Sequence, residues 1–87
     1  LTGDKRWFVQ IGAFADENLA KAQLTAYAAH SMDVLGQAQH LVVPIRNSRG
    51  KIIYRARFGV FAENEARELC ERMTARGQTC YAALQTD

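Results

Sequence analysis

Side-chain catalysis needs a nucleophile beside a base, a pair of carboxylates or a cluster of metal ligands. The 87-residue sequence supports none of these constellations. Its two histidines, His30 and His40, have no Glu or Cys at ligand spacing, so each reads as a solvated side chain and no metal site is expected. Asp16, Glu17, Glu63 and Glu65 stand where helices are expected to start, a place the helix dipole reserves for acids. No catalytic residue and no cofactor follow from this inventory. What remains is binding chemistry. Phe8 and Tyr81 offer rings that stack on sugar or base faces, while Gln10, Arg55 and Arg57 can hydrogen-bond to hydroxyls, acetamido carbonyls or carboxylates.

Those residues meet only if the chain folds to bring them together, and an internal repeat says how. Laid 47 positions apart, Trp7 to Asp16 falls on Tyr54 to Glu63, with Gly12, Phe14 and Ala15 recurring as Gly59, Phe61 and Ala62. After a one-residue slip, Asn18, Ala20 and Lys21 match Asn64, Ala66 and Arg67, so the unit is a doubled strand, turn and helix. Each copy opens with period-two alternation: Trp7, Val9 and Ile11 against Phe8 and Gln10, then Tyr54, Ala56 and Phe58 against Arg55 and Arg57. Each continues into helical spacing, through Ala20, Leu24, Tyr27 and Ala28 in the first and Ala66, Leu69, Cys70 and Met73 in the second, where Gly77 is the stop. Between the copies, Leu41 to Ile45 reads as a strand and Asn47 to Gly50 as the turn of a hairpin into Lys51 to Phe58. Pro44 cannot donate to a ladder, which puts that strand at an edge. Thr79 to Leu84 is a last strand, and His30 to Gln39 is open to three readings: a longer first helix, a short additional one, or a capping loop.

Right-handed crossovers through this order of elements predict an α+β, ferredoxin-like (RNP-like) βαββαβ fold, a four-stranded antiparallel sheet with two helices packed on one face. The length suits one domain over residues 1–87, with a core of about 6–84 and the two repeat-initial strands at the sheet centre. By parity the helices cover Val9, Ile11, Ala56, Phe58, Cys80 and Ala82. The open face then carries Phe8, Gln10, Ile53, Arg55, Arg57, Tyr81 and Ala83, with Gln10, Arg55, Arg57 and Tyr81 accessible. Such an uncovered face is a binding platform, against the plainer reading of a solvated surface with scattered apolar groups. Cys70 lies about 9 Å before the helix end and the return strand runs back about 10 Å to Cys80, so a disulfide between them is expected. A disulfide would point to an oxidising compartment; the alternative is two buried cysteines acting as small hydrophobes.

Eleven Lys and Arg against nine Asp and Glu leave a net charge of +2, modest for a nucleic-acid or acidic-membrane binder. The basic residues are unevenly placed: no acid lies between Asp33 and Glu63, where Arg46, Arg49, Lys51, Arg55 and Arg57 form a stripe. No apolar run approaches the ~18 residues of a membrane helix, so no membrane insertion is expected. The opening LTGDKRW has neither the charged nor the apolar region of a signal peptide, which leaves a cytosolic chain or a domain cut from a longer one. Aromatics and arginines on an open sheet are also how RNA-recognition domains stack bases, so single-stranded RNA or DNA is the alternative ligand.

Val9-Gln10-Ile11-Gly12-Ala13-Phe14, the helix after it, Tyr54-Arg55-Ala56-Arg57-Phe58-Gly59-Val60-Phe61 and the closing Gly77-Gln78-Thr79-Cys80-Tyr81 together resemble the SPOR (sporulation-related repeat) domain. The resemblance runs from Arg6 to Leu84. It implies the same fold and a non-catalytic module, monomeric here, that binds bacterial peptidoglycan, in particular glycan strands stripped of stem peptides. It further implies a periplasmic location and a longer parent directed to the division septum, such as a D-alanyl-D-alanine carboxypeptidase. The family's binding face carries over at Gln10, Arg55 and Tyr81. Ala13, counted with the glycan-binding residues, departs from the pattern: many members have a serine there, and its hydroxyl contact is lost in this chain. Gly59-Val60-Phe61 departs from the usual Gly-Pro-Phe, which implies only a looser turn.

Overall fold

Alternation and helical spacing build the elements where the residues predict them. The computed structural model describes residues 5–85, so the ends of the expected 1–87 domain lie outside the described residues. The elements are β1 (Trp7–Phe14), α1 (Glu17–His30), α2 (Met32–Leu35), β2 (Gln39–Arg46), β3 (Ile52–Phe61), α3 (Glu63–Ala75) and β4 (Tyr81–Leu84). The strands form one antiparallel sheet in the order β2-β3-β1-β4, with the repeat-initial strands β1 and β3 at the centre and Pro44 on an edge strand.

Both long helices carry their own start signals. The Asp16 carboxylate accepts from the Leu19 N–H at 3.3 Å to cap α1, and Glu65 reaches back to accept from the Ala62 N–H at 2.9 Å at the head of α3. Each buries a stripe three to four residues apart, Ala20, Leu24 and Ala28 on α1, then Ala66, Cys70 and Met73 on α3. The outer face of α3 is laced by Glu63–Arg67 and Glu68–Arg72 pairs at 3.0 and 3.2 Å, exposed contacts that add a few tenths of a kcal/mol each. Gly77 sits at φ +80°, the left-handed conformation in which a helix stops.

Among the described residues there are three helices: the two long ones expected, and α2 over residues 32–35, which settles the segment from His30 to Gln39 in favour of a short additional helix. Burial and polar ties both fix it. Leu35 is fully buried, as is Ser31 just before the helix. The Ser31 hydroxyl donates to Gln78 Oε1 at 2.5 Å, and Asp33 takes a two-pronged ion pair from Arg76 at 2.7 and 2.5 Å. The last strand is also shorter than expected, starting at Tyr81, one residue after Cys80, which forms a disulfide with Cys70 across a Cα–Cα distance of 5.3 Å.

The core lies between the helices and one sheet face, where Phe58, Leu24, Leu35, Met73 and Val9 are fully buried. Two register shifts interrupt the central ladder. Val60 is an extra residue on β3, and Ile11 is an extra residue on β1 between the Gln10–Arg57 and Gly12–Ala56 pairs. A bulge lets two successive residues oppose one partner. Ile11 therefore stays in the core while the alternation beyond it resets and Ala13 comes to lie opposite Arg55.

Candidate functional site

The sheet face away from the helices carries a groove of about 430 Å³ that crosses three strands. Gln10 and Ala13 reach it from β1, Ile53, Arg55 and Arg57 from β3, and Tyr81 from β4, so six of the seven expected binding residues line one depression. Strict alternation would have turned Ala13 toward the helices; the bulge at Ile11 is what delivers it to the groove.

Phe8, the seventh, does not line the groove. Its ring lies across Gly59, its cross-strand partner, so closely that a Cβ there would meet the ring at 2.6 Å. The Arg57 guanidinium covers the ring from 5.0 Å at the centroid, which leaves Phe8 only 7% exposed. It is no free stacking ring.

Gln10 needs a second correction, because it is 4% exposed rather than accessible. No helix covers it. Its amide is spanned by two neighbours on the open face: Arg57 Nε donates to Oε1 at 2.8 Å, and the amide Nε2 donates to the Tyr81 hydroxyl. Tyr81, with 52% of its surface exposed, is the ring presented to solvent. Gln10 and Arg57 are equivalent positions of the repeat, 47 residues apart, and face each other across the central ladder.

Charge in the groove is one-sided. No acid lines it. Burial pushes the Arg57 guanidinium below its ordinary value, the neighbouring Arg55 charge pushes it the same way, and Tyr81 acts against both. Elsewhere on the basic stripe, Arg46 Nη1 donates to the Gly50 carbonyl at 2.7 Å and so staples the hairpin turn. Sequence reasoning missed Leu41, Val43 and Ile45, which pair with Arg57, Arg55 and Ile53 and give the open face a half-buried apolar flank. Their odd-position alternation is visible in the sequence; the register that places them beside the arginines is not.

Other features offer less. A larger depression of about 560 Å³ between α3 and β4 includes Arg67, but that side chain is held by Glu63 at 3.0 Å and lies over the Trp7 ring. His40 packs edge-on against Phe58, with centroids 5.1 Å apart. Among the described residues no three or more His, Cys, Asp or Glu gather as metal ligands, and no helix is long and apolar enough to cross a membrane.

A family model described as SPOR domain matches residues 3–83. Among solved structures, the crystal structure of the RlpA SPOR domain from Pseudomonas aeruginosa superposes with a TM-score of 0.68 at 15% identity, covering 91% of this chain and 99% of that one. The solution structure of the peptidoglycan-binding domain of the B. subtilis cell wall lytic enzyme CwlC gives 0.62 at 21% identity, covering 92% and 89%. At these identities the likeness is one of fold. A search of curated proteins finds no match.

Proposed function

The chain belongs to the SPOR domain family, and on that premise we propose that it binds peptidoglycan through the open face of its sheet, taking glycan strands free of stem peptides. SPOR domains are non-catalytic peptidoglycan-binding modules. The observation that carries the reading is the groove itself, where one exposed ring, Tyr81, stands beside two guanidiniums, and an amide, Gln10, ties the ring's hydroxyl to one of them, Arg57. A sugar ring stacks on Tyr81, and its hydroxyl and acetamido oxygens accept from the arginines. A groove that crosses three strands of an uncovered sheet face suits a polymer rather than a small molecule. In this reading the module carries a parent protein to the division septum, in the periplasm. The Cys70–Cys80 disulfide supports that compartment, since such bonds persist where the environment is oxidising.

The nucleic-acid alternative loses support from the burial of Phe8. A base-stacking sheet presents several rings, and here Phe8 is covered. The test is a pull-down with intact sacculi, amidase-treated sacculi and single-stranded oligonucleotides. Retention on the treated sacculi, weak salt dependence and little binding to oligonucleotides are the expected outcome; tighter oligonucleotide binding with a steep salt slope overturns the reading.

A further inference from the structure

The hydrogen-bond wiring of the groove has a polarity that follows from donor and acceptor chemistry alone. A guanidinium can only donate, so the Gln10 edge facing Arg57 must be its oxygen, and the edge facing Tyr81 must be its NH₂. The Tyr81 hydroxyl therefore accepts from Gln10, and its own proton is left to point into the groove. Both polar atoms of Gln10 are engaged with these neighbours, and at 4% exposure the amide is covered by them. What the groove presents is donors: the Nη groups of Arg57, the Arg55 guanidinium and the Tyr81 O–H. Arg55 and Arg57 sit two residues apart on one face of β3 with no acid lining the groove to offset them.

We propose that this groove is a carboxylate-reading subsite, in which Arg55, Arg57 and Tyr81 contact the ligand and Gln10 is a positioning residue that aims two of them. A carboxylate is acceptor-only and matches such a wall, whereas an amide brings an N–H that has no acceptor to meet. This rests on the glycan reading and gives it a chemical basis. In peptidoglycan the stem peptide hangs from the lactyl group of muramic acid through an amide. Removing the peptide leaves a free carboxylate at that position. The groove therefore reads stripping as a change of charge and hydrogen-bond polarity, and not only as added room.

The test is calorimetry with three ligands: a peptide-free glycan tetrasaccharide, the same tetrasaccharide with its lactyl carboxyls converted to methylamides, and a hyaluronan tetrasaccharide as an unrelated carboxylated sugar. The wild-type domain is expected to bind the first about tenfold or more tighter than the second, the difference between charged and neutral hydrogen bonds. Gln10→Leu keeps the bulk and should shrink that preference without lowering Tm appreciably. Gln10→Glu should abolish it, because Glu neutralises Arg57 and turns the Tyr81 proton inward. A general structural role for Gln10 would weaken both ligands alike and leave the ratio unchanged, which would overturn the positioning role. If the Gln10 variants unfold, Arg55→Ala carries the test through the same ratio. Equal wild-type binding of the two peptidoglycan tetrasaccharides overturns the carboxylate proposal while the glycan reading stands. Binding of hyaluronan alone supports the subsite and overturns the glycan reading; binding of none overturns both.

Discussion

On β3, Ala56 and Phe58 are fully buried beneath the helices, while Arg55 and Arg57, their neighbours in sequence, line the groove on the opposite side. The two faces of the sheet reach low exposure by different routes. Under the helices, apolar side chains from separate elements interlock. On the open face Phe8 is nearly as buried as Ile11 with no helix above it, because Arg57 lies over its ring; Gln10 is buried because Arg57 and Tyr81 close over its amide. Removing a core side chain leaves a cavity. Removing an open-face side chain uncovers its neighbours to water, so the two faces should answer mutation in separable ways.

The largest contrast comes from Phe58→Ala, which should cost about 3–5 kcal/mol of stability in denaturant unfolding and lower glycan binding only as far as it unfolds the domain. Breaking the Cys70–Cys80 link, by reduction or Cys80→Ser, is the next step. Closing so short a loop is worth roughly 3 kcal/mol on the chain-entropy estimate, so thermal unfolding should shift well down on adding reductant. An unchanged Tm would sink this. Gly59→Ala probes the faces together, since the new Cβ would drive Phe8 from its seat. We expect roughly 1–3 kcal/mol of destabilisation and a larger loss of binding than the folded fraction accounts for.

Arg55→Ala and Tyr81→Ala should show the open face by itself: stability within about 0.5 kcal/mol of wild type, and about 1–2 kcal/mol lost from glycan affinity. Wild-type affinity in both would break the comparison. The smallest effect lies away from both faces, at the strap holding α2. The hydrogen bond from Arg76 holds the Asp33 carboxyl at about 2, below its ordinary 3.8. Because the folded-state value is the lower one, the contribution is present above pH 3.8 and is lost as pH falls through about 2. A carboxyl NMR titration should place Asp33 near its ordinary value in Arg76→Ala.

Much of the fold is legible in local pattern. The 47-residue repeat, the two alternating strands and the edge position of Pro44 need only side-chain periodicity and the missing proline N–H. The stop at Gly77 and the Cys70–Cys80 pairing follow from one turn and a short return path. The open-face residues of β1 before the bulge, of β3 and of β4 were legible for the same reason, since in a regular strand the side-chain direction is a property of position. Exposure was not. Phe8 and Gln10 point to the face that parity assigns and are nevertheless covered by Arg57 and Tyr81.

What the amino-acid order by itself determined is therefore the list of elements, their facing and the chemistry available on each face, because these depend on neighbours within a few positions. Tertiary structure alone decided the bulge at Ile11 that turns Ala13 to the groove, the seating of Leu35 and Ser31 that makes α2 a helix, and the Arg57–Gln10–Tyr81 wiring. Those features join residues as far as 71 positions apart, and their geometry is set by how whole strands settle against one another. A side chain's neighbours across a sheet exist only once register, twist and helix packing have been chosen together.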